Sequence, residues 1–124
     1  MQYDDKIPIY YQIKNFIYRE IIVGNLKLGE QLPAVRQLAV DLTVNVNTIQ
    51  RALSELIAEK VIESKRGKGN FVTEDETKID DLRRRLIDEY LSDAYNNLHQ
   101  LNVSDQEIIE YLNQYIEDRR KKKS

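Results

Sequence analysis

The sequence predicts a mainly α fold with one small β-hairpin: an N-terminal winged helix-turn-helix over residues 1–74, then a two-helix dimerisation element over 75–124 that ends in a basic tail. Three observations predict it. Three stretches with apolar residues at helical spacing follow one another before Val61, separated by short turns. Two β-type runs, at 61–64 and 70–73, flank the glycine-containing stretch KRGKG, as in a hairpin whose tip is longer than two residues. Beyond Thr73 the pattern changes to one long apolar stripe and then a second.

The first helix is expected over IYYQIKNFIYREIIV, residues 9–23, with Ile9, Ile13, Phe16 or Ile17, and Ile21 inward. Pro8 suits a first helical position, and Gly24 with Asn25 supplies the stop. Gly29 marks a turn. Pro33 disfavours helical geometry at Leu32 and opens a second helix with Val35, Leu38, Ala39 and Leu42 inward. Thr43 and Val44 make a short connection, and the Asn45 side chain caps a third helix.

On that third helix, with Asn47 at zero and ~100° per residue, Ile49, Ala52, Leu53 and Leu56 fall on one flank. Asn47, Arg51, Ser54 and Ala58 fall on the other, with Thr48 and Gln50 at its margins. The inner flank is core; the outer flank needs a partner or is merely solvated. The hairpin is too small to stand alone and must lean on the helices.

After Thr73, Ile79, Leu82, Leu86, Tyr90, Ala94, Leu98 and Leu101 form an unbroken stripe. SDQE at 104–107 is a capping box, Ser104 at the cap and Glu107 three residues on, opening a last helix with Ile108, Leu112, Tyr115 and Ile116 inward. Two such helices cannot bury both stripes on each other, so a second copy is expected to complete the core. The expected dimer core is Leu82, Leu86, Tyr90, Ala94, Leu98, Ile108, Leu112, Tyr115 and Ile116. The tail tyrosines are read as packing with hydroxyls at the edge rather than as a ligand pocket.

Composition narrows the chemistry. A hydrophobic content of 41% over 124 residues supports one ordinary core, or a small domain with an appendage. There is no cysteine and one histidine, His99, so disulfides, thiol chemistry and a His/Cys zinc site are set aside. No paired carboxylate or nucleophile–base constellation stands out, so an enzyme is not expected, and no cofactor is either. GKGN lacks the glycine spacing and the Ser/Thr of a Walker loop. No run approaches ~18 apolar residues, and no leader-like segment opens the chain, so the expected compartment is the cytoplasm, without a membrane partner.

The net charge of −2 is unevenly placed. Residues 1–73 carry ten Lys/Arg against eight Asp/Glu, and residues 74–124 nine against thirteen, a mildly basic front and an acidic back. Within the front piece, Asn47, Thr48 and Arg51 are the short polar and arginine side chains that the first turns of a major-groove helix must present. Lys65, Arg66 and Lys68, interrupted by Gly67 and Gly69, suit phosphate neutralisation at a hairpin tip, 65–69, that approaches closely. Arg36 near the start of the second helix opposes the helix dipole, which a bound anion such as a phosphate would compensate. The rival reading is a winged-helix module that docks on protein and never touches DNA; the retained basic residues argue against it.

Residues 8–72 closely resemble the N-terminal DNA-binding domain of the GntR family of bacterial transcription regulators. The densest matches are G-x-L-x-x-G-x-x-L-P at 24–33, VR-x-LA at 35–39, VNVNT at 44–48 and RGKG-x-FV at 66–72. The short two-helix C-terminus looks like the YtrA subfamily. The resemblance implies a dimeric regulator, repressor or activator, that binds double-stranded operator DNA. It implies that Arg36 contacts phosphate, that Asn45, Asn47, Thr48 and Gln50 or Arg51 touch the operator, and that Gly67, flanked by Arg66 and Lys68, enters the minor groove. Thr43 departs from the small residue, often glycine, usual in the turn; Val46 departs from Pro or Arg. An inverted-repeat operator is expected, while the effector and the regulated genes stay open.

Overall fold

The computed structural model describes residues 2–123. In order they form α1 (Ile9–Ile22), α2 (Val35–Leu42), α3 (Val46–Ala58), β1 (Ile62–Lys65), β2 (Gly69–Val72), α4 (Glu76–His99) and α5 (Asp105–Lys123). The chain divides into two compact units, residues 1–83 and 84–124, with the division inside α4.

The first unit holds nearly all of the core. Its centre is a seam between α1 and α3: Ile13, Ile17 and Ile21 at four-residue steps face Ile49, Ala52, Leu53 and Leu56, all buried. Each fully buried aliphatic side chain here contributes about 1.5–3 kcal/mol, so this seam fixes where α3 lies. Leu38, Ala39 and Leu42 of α2 close the other side of α3. The buried seam starts at Ile13; Ile9, expected inward, is 44% exposed at the first residue of α1.

Before α1, the Gln12 side chain donates to the carbonyls of Asp4 and Ile7, each at 2.8 Å, and accepts the Asp4 N–H at 2.9 Å. The Tyr3 hydroxyl donates to the Leu42 carbonyl. These bonds tie the N-terminal segment to the helical core.

α2 and α3 both end without glycine. Thr43 (φ 57°, ψ 49°) and Lys60 (φ 65°) take the left-handed conformation. The following N–H groups fold back, Val44 to the Ala39 carbonyl at 3.0 Å and Val61 to the Leu56 carbonyl at 3.1 Å. The departure at Thr43 therefore leaves the turn closed by the usual bonds, with a β-branched residue in a conformation that disfavours it.

The hairpin is antiparallel, with Ile62 opposite Val72 and Lys65 opposite Gly69. A feature not expected from the sequence flanks it. The segment just before α2 runs along β2: Val72 N–H donates to the Glu30 carbonyl and Leu32 N–H to the Asn70 carbonyl, both at 2.8 Å, and Gln31 bridges Phe71. The wing is thus anchored to the chain that leads into α2, and Ile62 and Val72 are buried beneath it.

The second unit has almost no core of its own. Among the described residues, Leu86 is its one buried apolar side chain, and α5 buries none. Its helices are nevertheless well capped. Ser104 N–H donates to Glu107 Oε1 at 3.1 Å and Glu107 N–H to Ser104 Oγ at 3.2 Å, the reciprocal box read from SDQE. Asp105 also accepts from His99 Nε2 at 2.7 Å across the α4–α5 turn. The His99 and Tyr95 side chains hold the Asp105 carboxyl below its ordinary pKa.

Candidate nucleic-acid interface

α3 begins where Asn45 caps it. The Asn45 Oδ1 accepts the Thr48 N–H at 2.9 Å and the Thr48 hydroxyl at 3.0 Å. These two side chains, both expected at the interface, are engaged with one another and fix the first turn. Asn47, Gln50, Arg51 and Ser54 are exposed, while Ile49, Ala52, Leu53 and Leu56 are buried behind them. The division of faces is the one expected from the ~100° step.

Arg51 is held from two sides. Its Cζ lies 3.7 Å from the centroid of the Tyr10 ring on α1. Its Nε is 3.8 Å from Glu55 Oε2, one turn further along α3. With the Arg51 side chain 63% exposed, that ion pair contributes little to stability and serves mainly to orient.

Glu55 belongs to a larger polar arrangement beside the apolar seam. Lys14 Nζ, almost completely buried, lies 3.0 Å from Glu55 Oε1 and 2.6 Å from Glu59 Oε2. Tyr18 donates its hydroxyl to Glu59. Tyr10, Lys14 and Tyr18 are four residues apart on α1, and Arg51, Glu55 and Glu59 are four apart on α3 and its C-cap, so three polar rungs join the helices in order. Burial would lower the Lys14 pKa, but the hydrogen bonds to Glu59 and Glu55 outweigh it and raise the pKa above the ordinary lysine value. Lys14 is charged throughout the physiological range.

Arg36 is exposed at the second position of α2, whose N-cap residue, Ala34, offers no side-chain hydrogen bond. At the wing tip, Lys68 N–H donates to the Lys65 carbonyl at 2.9 Å, and Gly67 (φ 75°) supplies the left-handed residue of the turn. Lys65 Nζ lies 4.6 Å from the centre of the Phe71 ring. Arg66 and Lys68 are exposed and form no ion pair among the described residues. Gln31 reaches under the tip and donates to the Lys68 carbonyl at 2.7 Å. A Cβ on Gly69 (φ 118°) would lie 2.7 Å from Gln31 Nε2, so the clamp needs glycine there.

Sequence reasoning did not find Tyr10, Lys14, Gln31 or Glu55. The four-residue steps on α1 and α3 were visible, but nothing local says that those two edges face each other.

The residues expected in a dimer core divide. Leu82 and Leu86 are 4% exposed each, already buried within the chain and so not part of any free face. Tyr90, Leu112, Tyr115 and Ile116 are exposed, as is Ala94, and Leu98 and Ile108 are half-buried. Within the second unit, α4 and α5 leave an open groove of about 680 Å³ lined by Leu91, Ala94, Tyr95, Leu98, Ile108, Tyr111, Leu112 and Tyr115.

Residues 9–72 match the family model described as "Bacterial regulatory proteins, gntR family". The chain belongs to this family. Two curated proteins of Bacillus subtilis (strain 168) extend the similarity into the C-terminal helices. The HTH-type transcriptional regulator YhcF is 33% identical over 94% of this chain and 96% of its own. The HTH-type transcriptional repressor YtrA is 31% identical over 90% of this chain and 86% of its own. Among solved structures, a GntR family transcriptional regulator from Listeria monocytogenes superposes with a TM-score of 0.84 at 35% identity, covering 90% of this chain and 98% of that one. The DNA-binding domain of AraR in complex with operator ORX1 matches with a TM-score of 0.52 at 28% identity, over 54% of this chain and 81% of that one. The chain is accordingly a winged-helix, DNA-binding transcription regulator of a family that is not enzymatic. No helix among the described residues is long and apolar enough to cross a membrane.

Proposed function

We propose that this chain binds an inverted-repeat operator as a cytoplasmic homodimer and represses transcription there. The observation that carries the reading is the exposed face of α3, Asn47, Gln50 and Arg51, backed directly by the buried seam. A recognition helix needs both: polar side chains free to reach base edges and a rigid support behind them. Asn45 and Thr48 set the start of that helix. Arg36 contacts phosphate beside it, and the tip at 65–69, with Lys65, Arg66, Gly67, Lys68 and Gly69, grips the adjacent backbone or minor groove.

The dimer completes the second unit. A 19-residue α5 with no fully buried side chain gains little from packing within the chain, although such packing supplies most of the stability of protein helices. The exposed Tyr90, Leu112, Tyr115 and Ile116, with Ala94, Leu98 and Ile108, form the face on which a second copy packs, and the open groove is filled in this way. The repressor sign is supported by the similarity to YtrA, which is named a repressor.

Selection of genomic fragments with the full chain tests the reading. The fragments should contain two half-sites about one helical turn apart, overlapping a promoter. Binding without sequence enrichment, or sites placed upstream of promoters that the protein stimulates, would overturn specificity or sign respectively. Sedimentation of Leu112→Lys should give a monomer; a persistent dimer refutes the assigned face.

A further inference from the structure

We propose that Tyr10, on α1, is a positioning residue for DNA reading: its ring is the platform that orients Arg51 before DNA arrives. This rests on the reading of Arg51 as an operator-contacting residue.

A Cζ-to-centroid separation of 3.7 Å places the guanidinium against the face of the ring. The N–H donors of a guanidinium lie in its own plane, so a face contact restrains the group without occupying a donor. The ion pair with Glu55 engages Nε, on the stem side. The Nη pair, the edge that makes parallel hydrogen bonds to guanine or phosphate, lies outside that ion pair.

Both restraints are themselves anchored. Lys14 holds Glu55 at 3.0 Å from a buried position. Tyr10 is half-buried in the first turn of α1, and Gln12, two residues on, ties that turn to the preceding segment through three hydrogen bonds. A long, exposed arginine is thereby given a rigid wall on one face and an anchored carboxylate charge at its root. The ordering that DNA binding would otherwise impose on Arg51 is already in place in the free protein.

The test uses full-length protein carrying Tyr10→Phe, Tyr10→Leu, Arg51→Ala or Y10L with R51A. Fluorescence anisotropy is read on a duplex that the wild type recovers from a random-sequence pool, and on an unselected duplex of equal length. Y10L should weaken binding to the selected duplex about fivefold and change the unselected one less than about twofold. Y10F, which keeps a ring face, should stay within about twofold of wild type on both. On the R51A background Y10L should cause no further loss. Should Y10L fail to fold, Tyr10→Met, which fills similar space without a ring face, makes the same comparison. Equal losses from Y10L with and without Arg51 would overturn the inference, because Tyr10 would then act on the fold or on DNA directly. Wild-type binding by Y10L alongside weakened R51A would show the stack to be idle. Wild-type binding by R51A would refute the operator contact itself, and this inference with it.

Discussion

Lys14→Met tests the polar rungs between α1 and α3. Methionine keeps most of the stem volume and removes the charge, leaving Glu55 and Glu59 facing each other across a site that Nζ had bridged at 3.0 and 2.6 Å. Removing one partner of a fully buried ion pair costs about 3–5 kcal/mol, while exposed pairs contribute less than about 1 kcal/mol. Lys14 is buried, but the Glu55 and Glu59 side chains are 38% and 28% exposed, so water screens much of the repulsion left behind. The expected loss is about 2 kcal/mol. At about 4–8 °C per kcal/mol for a unit of this size, the thermal midpoint falls by about 8–16 °C. Protein concentration is held fixed, since the proposed dimer would couple stability to it. The pH dependence separates charge from packing. The raised Lys14 pKa means that its contribution is complete below the ordinary lysine value and lost only as pH rises through the raised one. The deficit of the variant should therefore hold steady between about pH 7 and pH 9, where the Lys14 charge is complete, and narrow only as alkali removes that charge. A midpoint within about 2 °C of wild type, or a deficit that narrows already between pH 7 and pH 9, would refute the account.

Thr43→Gly should stabilise the protein. Removing a left-handed β-branched residue gains about 1–2 kcal/mol, and the freer unfolded chain takes back about 0.4–1 kcal/mol. The urea midpoint should rise accordingly; an unchanged or lower midpoint means the turn is unstrained. Gly69→Ala should destabilise the wing by about 1–3 kcal/mol and displace Gln31 from the Lys68 carbonyl. Adding Gln31→Ala relieves the contact but not the backbone strain, so urea unfolding should recover only part of the loss. Lys68→Ala should weaken selected and unselected duplexes about equally and reduce the slope of log affinity against log salt by about 1. An unchanged slope in a salt titration removes the wing tip from the phosphate contacts.

What the sequence could determine by itself was whatever depends on near neighbours along the chain. Four-residue spacing placed Ile49, Ala52, Leu53 and Leu56 on one flank of α3 and Asn47 and Arg51 on the other, because helix geometry alone decides that. Asn45 at the start of α3 and the box at Ser104 and Glu107 are contacts over three residues, readable for the same reason. The hairpin around KRGKG and the family resemblance follow from equally local signatures. Tertiary structure decided the rest. Lys14 meets Glu55 across 41 residues, and Gln31 meets the Lys68 carbonyl across 37. Periodicity gives each helix a face but not the rotation or crossing that brings two particular edges together. That same crossing puts Tyr10 under Arg51 and buries a lysine beside an isoleucine seam. Thr43, between α2 and α3, and Lys60, between α3 and β1, are left-handed because the packed elements on either side demand a turn there, whatever residue occupies it. One continuous stripe on α4 likewise hides a division that only packing makes: Leu82 and Leu86 are covered within the chain, Tyr90 and Ala94 stay exposed, and Leu98 is half-buried.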